Sequence, residues 1–256
     1  MLKQRVLEIF LGQRMRAVDG RGLSSLSRLA ALAVCLVVSL CAADRPAIEV
    51  LKPEIPGKIP ATASKDSIKE PQPQRLFVPA EFPKGWVFYS AEKGASLGAT
   101  WKIESNANEQ DAVLVCLGKP FGYLRTERSF ENCQFQFEWK YPNDPNANSG
   151  ILVFTNGPDM IWPQAVQVQL HRPTAGSVFP DGGARTEKPV TVTDLNLAVN
   201  EWHKCEISCR NGKLTVAIDG RKTAEVAGCV PSKGCFSIQS EGSEMHFRHI
   251  QVRPLP

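Results

Sequence analysis

Three short stretches of this chain carry polar side chains at every second position: Gln136, Glu138 and Lys140; Gln167, Gln169 and His171; Gln239 and Glu241. Phe135, Phe137 and Trp139 alternate with the first set, Val166, Val168 and Leu170 with the second. A period of two belongs to a β-strand, whose successive side chains point to opposite faces. Each stretch therefore has one apolar face for a core and one face of amides, carboxylates and an imidazole. Such a face either meets solvent or lines a groove. Tyr141 and Trp162, each followed by a proline, stand beside these strands. Flat aromatics with amides and carboxylates suit sugars, which present hydroxyls at their edges and C–H groups on their faces.

On that reading His171 is the first candidate for a general base or acid, because it shares a face with Gln167 and Gln169. Glu138, a mid-strand carboxylate, is the second. The plain alternatives are a histidine at a strand end and a solvated charge. Gln167, Gln169 and Trp162 are expected to contact the ligand, with Asn148 and Ser149 offering donors from the turn before Gly150. Arg248 is a donor to a sugar hydroxyl or half of a structural ion pair. Arg125 faces the groove or supports the sheet edge, and Asp181 lies in a Gly/Pro-rich stretch, residues 179–189, placed to form a flap.

The elements that must hold these residues are strands. Residues 112–117, 133–140, 151–154, 165–170, 213–218, 222–226, 234–239 and 245–252 are apolar or alternating runs separated by turn residues. Asp219-Gly220 between two of them is a hairpin signal. No helical period lasts beyond about two turns, so the pattern predicts an all-β fold, a two-sheet antiparallel β-sandwich.

That sandwich is expected to start near residue 81. Residues 1–43 read as a signal peptide or N-terminal anchor: a basic leader, an apolar run over 29–40, then Cys41-Ala42-Ala43. Residues 44–80, with seven prolines and no apolar periodicity, read as a disordered linker. Six of the 30 Lys and Arg and two of the 26 Asp and Glu fall in residues 1–43, so the rest carries 24 of each sign. The apparent basicity belongs to the leader and gives no reason to expect nucleic acid. The chain is expected to be exported to the periplasm, cell surface or medium, and to meet a membrane only through its N-terminal segment. Its oligomeric state is left open.

Six cysteines remain after residue 43. Cys205 and Cys209 point to one face of a strand, about 13 Å apart, too far to bridge each other. Cys229 and Cys235 flank residues 231–234, where a hairpin would bring them together as a disulfide; small buried hydrophobes are the alternative. With no CxxC pair, a structural zinc site is not expected. No cofactor is expected, a divalent cation in the groove being left open.

The motifs also follow one family's order. Asn148-Ser149-Gly150-Ile151, Trp162-Pro163 leading into Val166-Gln167-Val168-Gln169, and Gly176-Ser177-Val178-Phe179 come first. Glu201-Trp202-His203, Ile218-Asp219-Gly220, Ile238-Gln239-Ser240-Glu241-Gly242 and Phe247-Arg248-His249-Ile250 follow. The series resembles the 3-keto-disaccharide hydrolase domain family over residues 81–256. The resemblance implies a concanavalin-like jelly roll, similar to laminin-G modules, and cleavage of glycosides already oxidised to a ketone at ring carbon 3. A base would remove the proton beside the ketone and expel the glycosidic oxygen, after which water adds back. Arg248 would then have an enolate as a second possible acceptor. No acidic pair typical of a two-carboxylate glycosidase is present.

Three positions depart from the family pattern. Gln167 stands where a Glu is usual, and an amide is no base. His203 and His249 stand where Asn is common, and both are expected to bond loop backbone. The leading expectation is thus a 3-keto-glycoside hydrolase or lyase. Its rivals are a non-catalytic carbohydrate-binding module and a laminin-G-like adhesion domain.

Overall fold

The computed structural model describes residues 71–105 and 111–256. The expected leader and most of the expected linker lie outside the described residues. Among the described residues, fourteen strands form two antiparallel sheets. The first sheet holds β1 (Gln74–Arg75), β3 (Trp101–Glu104), β4 (Val113–Cys116), β6 (Cys133–Lys140), β10 (His203–Arg210), β11 (Lys213–Ile218), β12 (Arg221–Val226) and β14 (Met245–Pro254). The second holds β2 (Trp86–Ser90), β5 (Gly122–Phe130), β7 (Gly150–Asn156), β8 (Gln164–Gln169), β9 (Val178–Asp181) and β13 (Gly234–Ser240). The one α-helix among the described residues, α1 (Leu97–Thr100), is a single turn.

In the first sheet the order is β12-β11-β10-β6-β14-β4-β3, and β1 lies beside the far end of β14. The second runs β2-β5-β13-β7-β8-β9. The expected two-sheet sandwich is therefore present. The folded part starts ahead of residue 81, however: Gln74 and Arg75 pair with Val252 and Gln251, and Phe77 is buried in the core. Prolines on either side of β1 gave that stretch the look of a tether, but its two paired residues need no periodicity of their own.

Alternation decides what fills the space between the sheets. Phe135, Phe137 and Trp139 of β6 meet Phe236 and Ile238 of β13, Ile151 and Val153 of β7, and Val166 and Val168 of β8. The rings of Phe135 and Phe236 stack across the sheets at 4.7 Å. The β11–β12 turn has Asp219 and Gly220 at φ 49° and 77°, the left-handed pair that a two-residue hairpin requires.

One consequence corrects the sequence reading. The polar faces of β6 and β8 do not share a groove, because the strands belong to different sheets and their apolar faces meet in the middle. Gln136, Glu138 and Lys140 look outward on one side of the sandwich, and Gln167 and Gln169 look outward on the other.

Candidate functional site

Residues paired directly opposite each other in an antiparallel sheet project to the same face. The pairings of the second sheet therefore lay out its outer face in rows. Tyr89 lies opposite Tyr123, Tyr123 opposite Gln239, and Gly150 opposite Gln169. One row further along stand Arg125, Ser237, Leu152, Gln167 and Phe179. Asp181 lies opposite Ala165 at the end of the edge strand β9, rather than on a flap.

This face is outward, yet Tyr123, Leu152, Ala165, Gln167 and Ser237 have no solvent exposure. Asp159 reaches over it from the β7–β8 connection. Its carboxylate accepts from the Tyr123 hydroxyl at 2.8 Å and from Arg125 Nε and Nη2 at 2.9 and 3.1 Å. These hydrogen bonds, Arg125's first, hold the Asp159 carboxyl below its usual range. Burial and the neighbouring carboxylate push the Tyr123 phenol up, so it stays a neutral donor. Arg125 thus faces the site but is committed to Asp159. Sequence reasoning missed Asp159, because nothing local marks a loop carboxylate whose partners lie more than 30 positions away.

The centre of the face is set by Gln167, Gln169, Gln239 and the missing side chain of Gly150. The backbone N–H groups of Leu170 and His171 donate to Gln169 Oε1 at 2.9 and 3.0 Å, which fixes that amide's orientation. Gln167 Nε2 then donates to the same oxygen at 3.5 Å, and Gln167 Oε1 points elsewhere. A Cβ on residue 150 would stand 2.1 Å from Gln239 Oε1 and 2.8 Å from Gln167 Nε2, so only glycine lets the two amides converge. Gln167 Oε1, Gln239 Oε1 and Asn148 Oδ1 are buried without a hydrogen-bond partner among the described residues. A buried polar atom left unpaired costs about 1–3 kcal/mol. A ligand that brings donors would relieve that cost.

Asn148 precedes β7, with its backbone N–H donating to Ser243 Oγ, which in turn donates to Asp144 Oδ2. Ser149, expected to serve the groove, is fully buried and donates to the Gln239 carbonyl at 2.8 Å, a structural role. His171 lies just past the end of β8, ahead of the 3-10 turn Arg172–Thr174, so it does not continue the strand's alternation. Its Nδ1 is 3.3 Å from Thr174 Oγ1. Burial lowers its pKa, and the carboxylates of Glu241 and Asp144 act in the opposite direction. The imidazole is therefore neutral at pH 7, the state a general base needs. Glu241 follows the last residue of β13, and its charge acts on His171, 70 positions away in the chain. Trp162, half-buried, precedes Pro163 at the start of β8 and is engaged with the protein. Tyr141 is buried, its hydroxyl donating to the Leu170 carbonyl, and is no platform for a sugar.

Glu138 and Arg248 sit on the other side of the molecule. Arg248 Nε donates to Glu138 Oε2 at 2.7 Å, His249 Nδ1 lies 3.3 Å from Glu138 Oε1, and the guanidinium stacks 4.1 Å over Trp202. Burial alone would raise the Glu138 pKa, but the bonds from Arg248 and His249 outweigh it and lower it. Neighbouring Gln136 and Gln251 bond to each other, as do Arg253 and Gln134. A cleft of about 230 Å³ opens here, between Arg75, Glu138, Lys204 and His249. Its polar groups are largely paired, as on a solvated sheet face. Gln167 and Gln239 on the second sheet's outer face carry unpaired buried acceptors, and the site is assigned there.

Of the two histidines that depart from the family pattern, His203 bonds the Ala198 carbonyl and Asp219, as expected of a loop brace. His249 bonds side chains instead of loop backbone among the described residues. It occupies a bulge of β14 at φ 53°, where Asn is favoured, and lies between Glu138 and Asp111. Cys229 and Cys235 do not face each other: Cys229 lies beside Cys209, and Cys235 beside Ser129. Among the described residues no three His, Cys, Asp or Glu side chains gather as metal ligands do.

Two crystal structures from Parabacteroides distasonis ATCC 8503, each described as a "putative glycosyl hydrolase", share this fold. The first is 19% identical, covering 63% of this chain and 93% of its own, with a TM-score of 0.50. The second is 17% identical, covering 67% and 89%, also at 0.50. At such identities the likeness is one of fold. No curated protein matches the sequence. The family model for the 3-keto-alpha-glucoside-1,2-lyase-like domain matches residues 85–253, from just before β2 to the end of β14, and the chain belongs to that family.

Proposed function

We propose that this protein is an exported carbohydrate-active enzyme that cleaves 3-keto-glycosides by elimination, on the outer face of the second sheet. The observation that carries the reading is the pair of amides, Gln167 and Gln239, that meet over Gly150, with Gln167 Oε1, Gln239 Oε1 and Asn148 Oδ1 buried and without a hydrogen-bond partner among the described residues. A sugar ring's hydroxyls are donors suited to those oxygens. A neutral His171 beside Glu241 is the base that removes the proton from C2, next to the ketone. The C2–H electron pair forms the C1=C2 double bond, and the glycosidic oxygen leaves C1 and takes up a proton. Water then adds across the enone to give the free 3-keto sugar. The amide N–H groups of Gln169 and Gln239 are donors for the charge that develops on the ketone oxygen. Release of aglycone from a chromogenic 3-keto-glucoside tests the reading; the corresponding glucoside without the ketone should be inert.

A second reading is favoured by Gln167, which stands where the family pattern has a Glu. On it, the domain binds keto-sugars or related glycans without turnover. Calorimetric binding in the absence of product release would select that reading.

A further inference from the structure

Cys133 on β6 and Cys209 on β10 lie directly opposite each other in register. Both side chains are buried, and the Cys133 thiol donates to the Glu131 carbonyl at 3.9 Å. Opposed residues of an antiparallel ladder have Cα atoms about 4.5–5.5 Å apart, within the roughly 4.4–6.8 Å that a disulfide spans. Among the described residues the other cysteines have no such cross-strand partner. Cys205 faces Phe137 and Ile218 across its strands, Cys116 faces Trp101 and Met245, and Cys235 lies by Ser129. A cleft of about 260 Å³ beside Arg128 and Lys233 includes Cys133 in its lining.

We propose that Cys133 and Cys209 are a dithiol that closes to a cross-strand disulfide in an oxidising compartment. The oxidant is a small disulfide such as glutathione disulfide. The Cys133 thiolate attacks one of its sulfurs and displaces a glutathione thiolate. The Cys209 thiolate then attacks the Cys133 sulfur and displaces the second. Two cysteine protons are lost, two electrons reduce the oxidant, and two glutathione thiols are produced.

The bond would close a loop holding β7 and β8, and with them Asn148, Gly150, Gln167, Gln169 and His171. Constraining that loop in the unfolded chain favours the folded one. Closure is slow at neutral pH, because the neighbouring Cys133 thiol and then burial hold the Cys209 thiol well above its ordinary range. Cys229 also lies near Cys209 and is the competing partner.

Mapping of the cross-link tests the assignment without reference to any sugar chemistry. The full chain is reduced, freed of reductant, exposed to glutathione disulfide at pH 8.5, then acid-quenched, alkylated and digested. The expected result is a Cys133–Cys209 linked peptide, in the wild type and equally in Cys229→Ala, formed faster at pH 8.5 than at pH 7. A higher melting temperature for the oxidised protein is also expected. Full alkylation of Cys133 and Cys209 after treatment, a link from Cys209 to Cys229, or glutathione carried on Cys235 alone would each overturn it.

Discussion

Gly150 and Gln239 meet so closely that a single methyl group on the first would stand 2.1 Å from Oε1 of the second. The glycine therefore makes room for the Gln239 and Gln167 amides, which a larger side chain would displace from the site. Gly150→Ala should weaken keto-sugar binding by about 100-fold, roughly 2.7 kcal/mol. Overpacking at this position should lower stability by about 1–3 kcal/mol. Calorimetry and thermal melting read the two effects separately, and unchanged affinity would remove Gly150 from the site.

His171 is predicted to carry the proton transfer. His171→Ala should lower kcat by about 10²–10⁴-fold with little change in thermal stability. Because burial depresses the His171 pKa, the wild-type base is already neutral at pH 7. Activity should fall only as the pH drops below the ordinary histidine range. The pH dependence of kcat/KM checks this, and the acid limb should vanish in the variant.

Gln167→Glu tests how the amide network holds together. A carboxylate there loses the N–H that Gln167 gives to Gln169 Oε1 and faces that oxygen in a site with no solvent exposure. The new group's folded pKa should be raised above about 4.3, since burial opposes its charge. A raised carboxyl pKa contributes stability at low pH that is lost as pH rises through it. The variant should thus melt close to wild type at pH 4 and well below it at pH 8. Equal melting at both would show that the site accepts a carboxylate.

Glu138→Gln makes the opposite case. Glu138 pairs with Arg248 on the far side of the sandwich, so turnover should stay within about two-fold while stability falls by about 0.5–1 kcal/mol. The wild-type contribution from its lowered pKa is present above the ordinary carboxylate range and lost as pH falls through the folded value. Loss of activity in this variant would move the site to the other sheet.

The strands were legible in the sequence where alternation was strict. Cys133–Lys140 and Lys213–Ile218 match their expected runs end for end. β1, at two residues, and β5, whose Glu127 and Arg128 break the pattern, left no such signal. Periodicity also assigned each polar residue to a face of its own strand, but said nothing of which strands share a sheet. That is why Glu138 was grouped with Gln167. His171 was placed by extending an alternation that stops at Gln169, where the side chain turns to bond the chain's own backbone. Asp159 and the nearness of Glu241 to His171 are products of topology alone.

The central claim is proton removal at C2 by His171, at the end of the strand that carries Gln167 and Gln169. The full chain should be incubated with 3-keto-trehalose in deuterated water and the product examined by NMR. The account predicts free glucose and a 3-keto-glucose carrying deuterium at C2, both lost in His171→Ala and retained in Glu138→Gln. Substrate left intact, or cleaved with no deuterium at C2, would contradict it.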